Sequence, residues 1–239
     1  MSAAATHTSH HDEPRVPVYV WDLVVRLTHW VIFATILVLS ATGIYIGRPF
    51  GPPSGPATQS FIMGEVKVVH YWAAMAFSLA VLARMVWFFI GPRYATWKQL
   101  VPVTKRRLLD MWGTFRFYTF IDAEPPPAVG HNALAGAAYI GVFAMYLVMI
   151  FTGFAIYGAS AHVDSVMRTF AWLLPLMGGA QSARWIHHVV MWLLLAFAVH
   201  HVYSATLMAK IEKNGTMDSI FGGYKVVPKS QLEDKSRAP

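Results

Sequence analysis

Four stretches of this chain are each apolar over about 20 residues or more, the length needed to cross the hydrocarbon core of a bilayer. They read "LTHWVIFATILVLSATGIYIG" (27–47), "VKVVHYWAAMAFSLAVLARMVWFFIG" (66–91), "ALAGAAYIGVFAMYLVMIFTGFAIYG" (133–158) and a fourth run from Trp185 to Met208. Backbone polar groups in lipid must be satisfied within the segment, so spans of this length fold as helices. The expected fold is therefore an all-α membrane protein, a four-helix transmembrane bundle. A shorter run, "TFAWLLPLM" (169–177), contains Pro175 and reads as an interfacial segment between helices three and four. The domain that follows from this spans 18–210, with a disordered tail over 1–17 and a second tail over 211–239.

Composition agrees. Of 239 residues 56% are hydrophobic and only 13% charged, against about 25% charged in soluble domains. The formal charge of +7 does not point to nucleic acid, because Lys and Arg sit beside the apolar segments. Arg93, Lys98, Lys105, Arg106, Arg107 and Arg116 lie between spans two and three, and Lys210, Lys213, Lys225, Lys229 and Lys235 follow span four. By the positive-inside rule both termini and the central loop are expected in the cytoplasm, with the chain in the inner (cytoplasmic) membrane. The N-terminal stretch has no apolar core of the kind a signal peptide carries, so it is expected to stay where it is made.

Span four contains "WIHHVVMWLLLAFAVHHVYSA" (185–205), with four histidines in two adjacent pairs. An ionisable group in a membrane is costly and marks function by default. Helical geometry separates the four. Positions 14 apart are about 21 Å apart along the axis and within about 40° of one face; positions 12 or 13 apart are turned by more than about 100°. Only His187 and His201 have the same-face spacing. Span one supplies His29 near its cytoplasmic start, and span two supplies His70 near its outer start. Matching by depth pairs His70 with His187 and His29 with His201.

Two bis-imidazole sites stacked in a bundle are what two b-type haems require, since haem iron takes axial nitrogens from the bundle interior. The chain has no cysteine, which excludes thiolate clusters and covalently attached haem. Zinc fits poorly, because two separated histidine pairs do not supply its usual four ligands. Arg84, 14 residues after His70, falls on the same face near the inner end and is a candidate partner for a propionate of the inner haem. Snorkelling to headgroups is the alternative for it. His188 is a second candidate propionate contact, with the membrane interface as its alternative, and His200 either supports a neighbouring ligand or packs. His7, His10 and His11 read as part of a polar tail.

The stretches "VVRLTHW" (24–30), "FIMGEVKVVHYWAA" (61–74), "ARMVWFFIG" (83–91), "GHNALA" (130–135), "FTGFAIYG" (151–158), "WIHHVVMW" (185–192), "HVYSA" (201–205) and "GGYK" (222–225) together resemble the b-type cytochrome subunit of respiratory nickel–iron hydrogenases. "LTHW" stands where relatives often have "WHW" and leaves the histidine intact.

That resemblance implies a di-haem membrane anchor for hydrogenase small and large subunits on the outer face, with scope for a higher oligomer of the complex. Electrons would pass from the small subunit's Fe–S chain to the outer haem (His70, His187), then the inner haem (His29, His201), and reduce menaquinone or ubiquinone. By likeness to the formate dehydrogenase gamma subunit, Asn132 and the neighbouring His131 are candidates for the quinone site. Asn is also a preferred helix N-cap, which is the structural alternative. Other dehydrogenases and stand-alone cytochromes b561 offer the nearest alternative function, and a transporter using histidines as proton relays is a third.

Overall fold

The computed structural model describes residues 13–51 and 61–233. Four long helices carry the mass: α1 (Leu23–Gly47), α2 (Ile62–Ile90), α4 (Ala133–Ser160) and α6 (Ala180–Glu212). Each contains a window of mean hydropathy between 1.6 and 2.1 and is long enough to cross a bilayer. This is a multi-pass membrane protein. Large apolar side chains such as Trp72, Leu79, Phe89 and Val199 project outward, as lipid-facing surfaces require.

Local sequence sets the helix starts. Asp22 Oδ1 accepts from the backbone N–H groups of Val24 (2.9 Å) and Val25 (3.1 Å), so α1 opens on a carboxylate cap. Asn132 Oδ1 accepts from Ala135 N at 2.7 Å and opens α4. α1 packs against α2, and α4 against α6. The two hairpins meet in a central cluster of Ile32 (α1), Phe77 and Val81 (α2), Val142 and Tyr146 (α4), and Val190 and Leu194 (α6). Phe77 meets Tyr146 edge to face, 5.2 Å between centroids at 88°, the arrangement aromatic quadrupoles favour.

The expected segment between the last two spans is present as a 3₁₀ helix (Val166–Trp172) followed by one short turn, α5 (Leu173–Leu176). It lies against the end of α4 so closely that a Cβ on Gly158 would stand 2.5 Å from Met167 O. The central basic loop holds a helix not anticipated from the sequence, α3 (Lys105–Tyr118), capped by Thr104. It exposes Leu108, Leu109, Trp112 and Phe115, an apolar stripe on a basic helix that suits the membrane interface.

The terminal segments are more ordered than the tails drawn from the sequence. β1 (Arg15–Tyr19) pairs antiparallel with β2 (Tyr224–Pro228), Val18 opposite Lys225. α7 (Thr216–Gly222) and α8 (Lys229–Glu233) flank that strand. Residues 15–17, placed in the disordered tail, are thus strand, and much of 211–233 is folded. The pairing joins residues about 200 apart in sequence, and Pro17 interrupts the strand pattern, so no local signal reveals it. His7, His10 and His11 lie outside the described residues. The end of the bundle that this sheet covers is called proximal below, and the opposite end distal.

Candidate functional site

The distal end brings together two matching sets of residues. His70 of α2 has its Nδ1 2.8 Å from Thr42 Oγ1 of α1. His187 of α6 has its Nδ1 2.8 Å from Thr152 Oγ1 of α4. Each threonine is followed by a glycine that faces the same ring. A Cβ on Gly43 would lie 3.4 Å from His70 Cε1, and one on Gly153 would lie 3.3 Å from His187 Cε1. The repeated Thr-Gly of "ATGIYIG" and "FTGFAIYG" is therefore one local device used twice. Met191, one turn after His187, also approaches Gly43, so all four helices converge here.

At the proximal end His29 of α1 faces His201 of α6, with ring centroids 6.3 Å apart. His201 Nδ1 lies 3.3 Å from the hydroxyl of Tyr139 of α4, and its ring stacks on Phe197 at 5.7 Å and 18°. His29 Nδ1 is buried with no hydrogen-bond partner among the described residues, and an orphaned buried nitrogen carries a desolvation cost. Helix α6 runs unbroken through both levels, which puts His187 and His201 about 21 Å apart along its axis.

These donors fit b haem. Each level offers two imidazoles, and among the described residues no group of three or more His, Cys, Asp or Glu side chains is placed to hold a metal ion. Two nitrogens per level suit a group that brings its own four equatorial ligands. The glycines keep the histidine rings uncrowded.

The other two histidines of α6 turn elsewhere. His188 Nδ1 donates to Arg184 O of its own helix at 2.8 Å, and its Nε2 would meet a Cβ on Gly47 at 2.8 Å. His200 is exposed, with Nε2 3.2 Å from Ser204 Oγ.

Arg84 does not reach solvent. It is buried, donates from Nη1 to Ala95 O at 3.1 Å and lies 4.2 Å over the Phe88 ring. His131 sits just before α4 between Trp21 (centroids 4.5 Å) and Tyr139 (4.9 Å). Its Nδ1 is buried without a hydrogen-bond partner among the described residues. Burial, reinforced by the nearby cations Arg84 and Lys225 and then by His201 and Arg107, holds this imidazole well below the usual histidine pKa. Lys225 is itself buried, which lowers its pKa, while Glu212 opposes the shift. Beside His131 and Asn132 a cavity of about 150 Å³ is lined by Arg93, Arg106, Arg107 and Thr114.

Sequence reasoning did not single out Thr42, Thr152, Asp22, Trp21 or Lys225. For the threonines the repeated Thr-Gly was the available signal. Asp22 joins two helices, capping α1 while its Oδ2 accepts from Trp87 Nε1 at 2.9 Å.

Comparison with known proteins gives a consistent result. The sequence pattern of the prokaryotic cytochrome b561 family matches residues 20–223. The probable Ni/Fe-hydrogenase B-type cytochrome subunit of Cupriavidus necator is 36% identical over 210 residues, 87% of this chain and 86% of that protein. The probable Ni/Fe-hydrogenase B-type cytochrome subunit of Azotobacter vinelandii is 34% identical over 87% of this chain and 88% of its own length. The probable Ni/Fe-hydrogenase 1 B-type cytochrome subunit of Escherichia coli K12 is 32% identical over 92% of this chain and 95% of its own length.

Proposed function

This chain belongs to the prokaryotic cytochrome b561 family, and from that premise we propose that it anchors a nickel–iron hydrogenase to the inner membrane and carries its electrons to quinone. The observation that carries this reading is the pair of histidine levels, His70 with His187 and His29 with His201, at opposite ends of one bundle. His70 with His187 and His29 with His201 would each hold a b haem, and such groups would supply one-electron chemistry at these two levels.

The chain's own residues do the rest. The four helices hold the two imidazole pairs at separate depths, and the central cluster around Phe77 and Tyr146 keeps water out between them. Arg84, buried at the proximal end, supplies positive charge for a propionate. His188 stands near the distal level as a second candidate contact. The hydrogenase small and large subunits dock at the distal end, and both termini face the cytoplasm, as the basic proximal segments favour.

Quinone reduction is assigned to the proximal cavity. Asn132 uses its carbonyl oxygen as the cap of α4, and its amide nitrogen remains a donor for a quinone carbonyl. His131, kept neutral by its surroundings, has a buried nitrogen with no hydrogen-bond partner among the described residues, to bond a quinone carbonyl and handle its proton.

Two b haems per purified chain, seen as a low-spin spectrum, are expected. His70→Ala and His187→Ala should remove one haem, and His29→Ala and His201→Ala the other, while His188→Ala keeps both. A colourless chain, or loss of haem in His188→Ala but not in His187→Ala, would refute the assignment.

A further inference from the structure

The hydroxyls of Thr42 and Thr152 each have one proton to give, and the helices show where it goes. Thr42 Oγ1 donates to Val38 O at 2.7 Å, and Thr152 Oγ1 to Val148 O at 2.6 Å. What each oxygen turns toward its histidine is therefore a lone pair. A nitrogen 2.8 Å away must then carry the hydrogen of the bond, so Nδ1 of His70 and of His187 is the protonated nitrogen. The tautomer follows: in both rings Nε2 keeps its lone pair for a metal.

We propose that Thr42 and Thr152 are paired positioning residues of the distal level, fixing His70 and His187 in the Nδ1–H form and making the distal iron the more reducing of the two. This rests on the haem reading above. A hydrogen bond drawn from the far nitrogen of a ligating imidazole raises its basicity. A more basic ligand favours the ferric iron, which lowers the reduction potential.

The proximal level lacks this device. Among the described residues His29 Nδ1 has no hydrogen-bond partner, and His201 has one longer contact, 3.3 Å, to Tyr139. Buried Arg84 and Lys225 lie at that same end, and positive charge there favours the reduced state. Both differences slope the same way, so electrons received at the distal level run downhill toward the proximal one.

Back-bonding to the carbonyl four residues earlier is common for threonine in apolar helices, and Thr35 does it too, donating to Val31 O at 2.7 Å. Thr42 and Thr152 differ because each also meets a histidine nitrogen. Thr35 is thus an internal control.

The test is an optical redox titration of the full-length chain. Thr42→Val and Thr152→Val should each raise the midpoint potential of the same haem, and the double variant should raise it further. The other haem and Thr35→Val should stay at the wild-type values, and Thr42→Ser and Thr152→Ser should restore the lower potential. If a valine variant does not accumulate, the alanine and serine variants at that position are compared instead. Unshifted potentials, shifts matched by Thr35→Val, or movement of the other haem would overturn the proposal while leaving the ligand assignment intact. A wild-type chain without two haems would overturn the ligand assignment itself, and this proposal with it.

Discussion

Trp21 and His131 pack at 4.5 Å between ring centroids, tilted by 48°, and this contact ties the segment before α1 to the start of α4. Trp21 Nε1 also donates to Ser219 Oγ of α7 at 3.0 Å, and Lys225 Nζ lies 5.9 Å from the Trp21 ring. One indole thus joins three parts of the chain at the proximal end.

Trp21 is 7% exposed, so Trp21→Ala leaves a cavity and should cost about 3 kcal/mol. Ser219→Ala removes the indole's acceptor together with the bond that Ser219 Oγ donates to Thr216 O at 2.6 Å, and should cost about 1–2 kcal/mol. Thermal unfolding of the chain in detergent, followed by near-UV circular dichroism, measures both, and the ranking Trp21→Ala above Ser219→Ala is the expected result.

His131 makes the proximal end sensitive to acid. Its pKa in the folded protein lies below the ordinary 6.5, through burial and through Arg84, Lys225, His201 and Arg107 around it. Between that lowered value and 6.5 the unfolded chain binds a proton that the folded chain does not. Stability therefore falls as pH drops below 6.5, and the group adds no pH dependence above it. His131→Phe keeps an aromatic ring between Trp21 and Tyr139 but cannot titrate. The wild type should lose more thermal stability than this variant between pH 7 and pH 5.

Asn132 has a structural and a proposed ligand role that substitution can separate. Asn132→Ala should cost about 1 kcal/mol by loss of the cap, whereas Asn132→Ser keeps a cap oxygen and most of the stability. If the amide binds quinone, both variants weaken a quinone-site inhibitor, measured as its dissociation constant. Wild-type inhibitor affinity in a stably folded Asn132→Ser would leave Asn132 as a cap alone.

The two glycines Gly153 and Gly141 lie on the same helix in different surroundings. A Cβ at Gly153 would stand 3.3 Å from His187 Cε1, while one at Gly141 would meet no atom of the described residues within 4 Å. Gly141→Ala should stabilise α4 by up to about 1 kcal/mol through helix propensity alone. Gly153→Ala should instead displace the His187 ring and change the haem spectrum. Equal, silent behaviour of the two variants would argue against a ring held close to α4.

The spans were legible because hydrophobic length is a property of consecutive residues, and His187 and His201 because their spacing lies within one helix. The partners of those histidines were not. Thr42 is 28 residues from His70, and Thr152 is 35 from His187, so only the packing of helix on helix reveals the bonds. α3 is not legible in the sequence, because its many Arg and Lys residues mask the stripe of Leu108, Trp112 and Phe115. Lys225 reads as a topology signal and is buried instead, because the alternation of β2 turns it inward toward Trp21. For Asn132 the sequence left both readings in view, and the cap is the one the helix uses.

Because a single unbroken α6 of 33 residues carries one histidine of each level, it acts as a ruler with fixed graduations. Inserting one residue between His187 and His201 would swing one site by about 100° relative to the other, whereas seven residues turn it by only about 20° while lengthening the gap by about 10 Å. In the relay proposed above, electron tunnelling would weaken steeply with that added length. The stretch between the two histidines can therefore change its side chains but not its residue count.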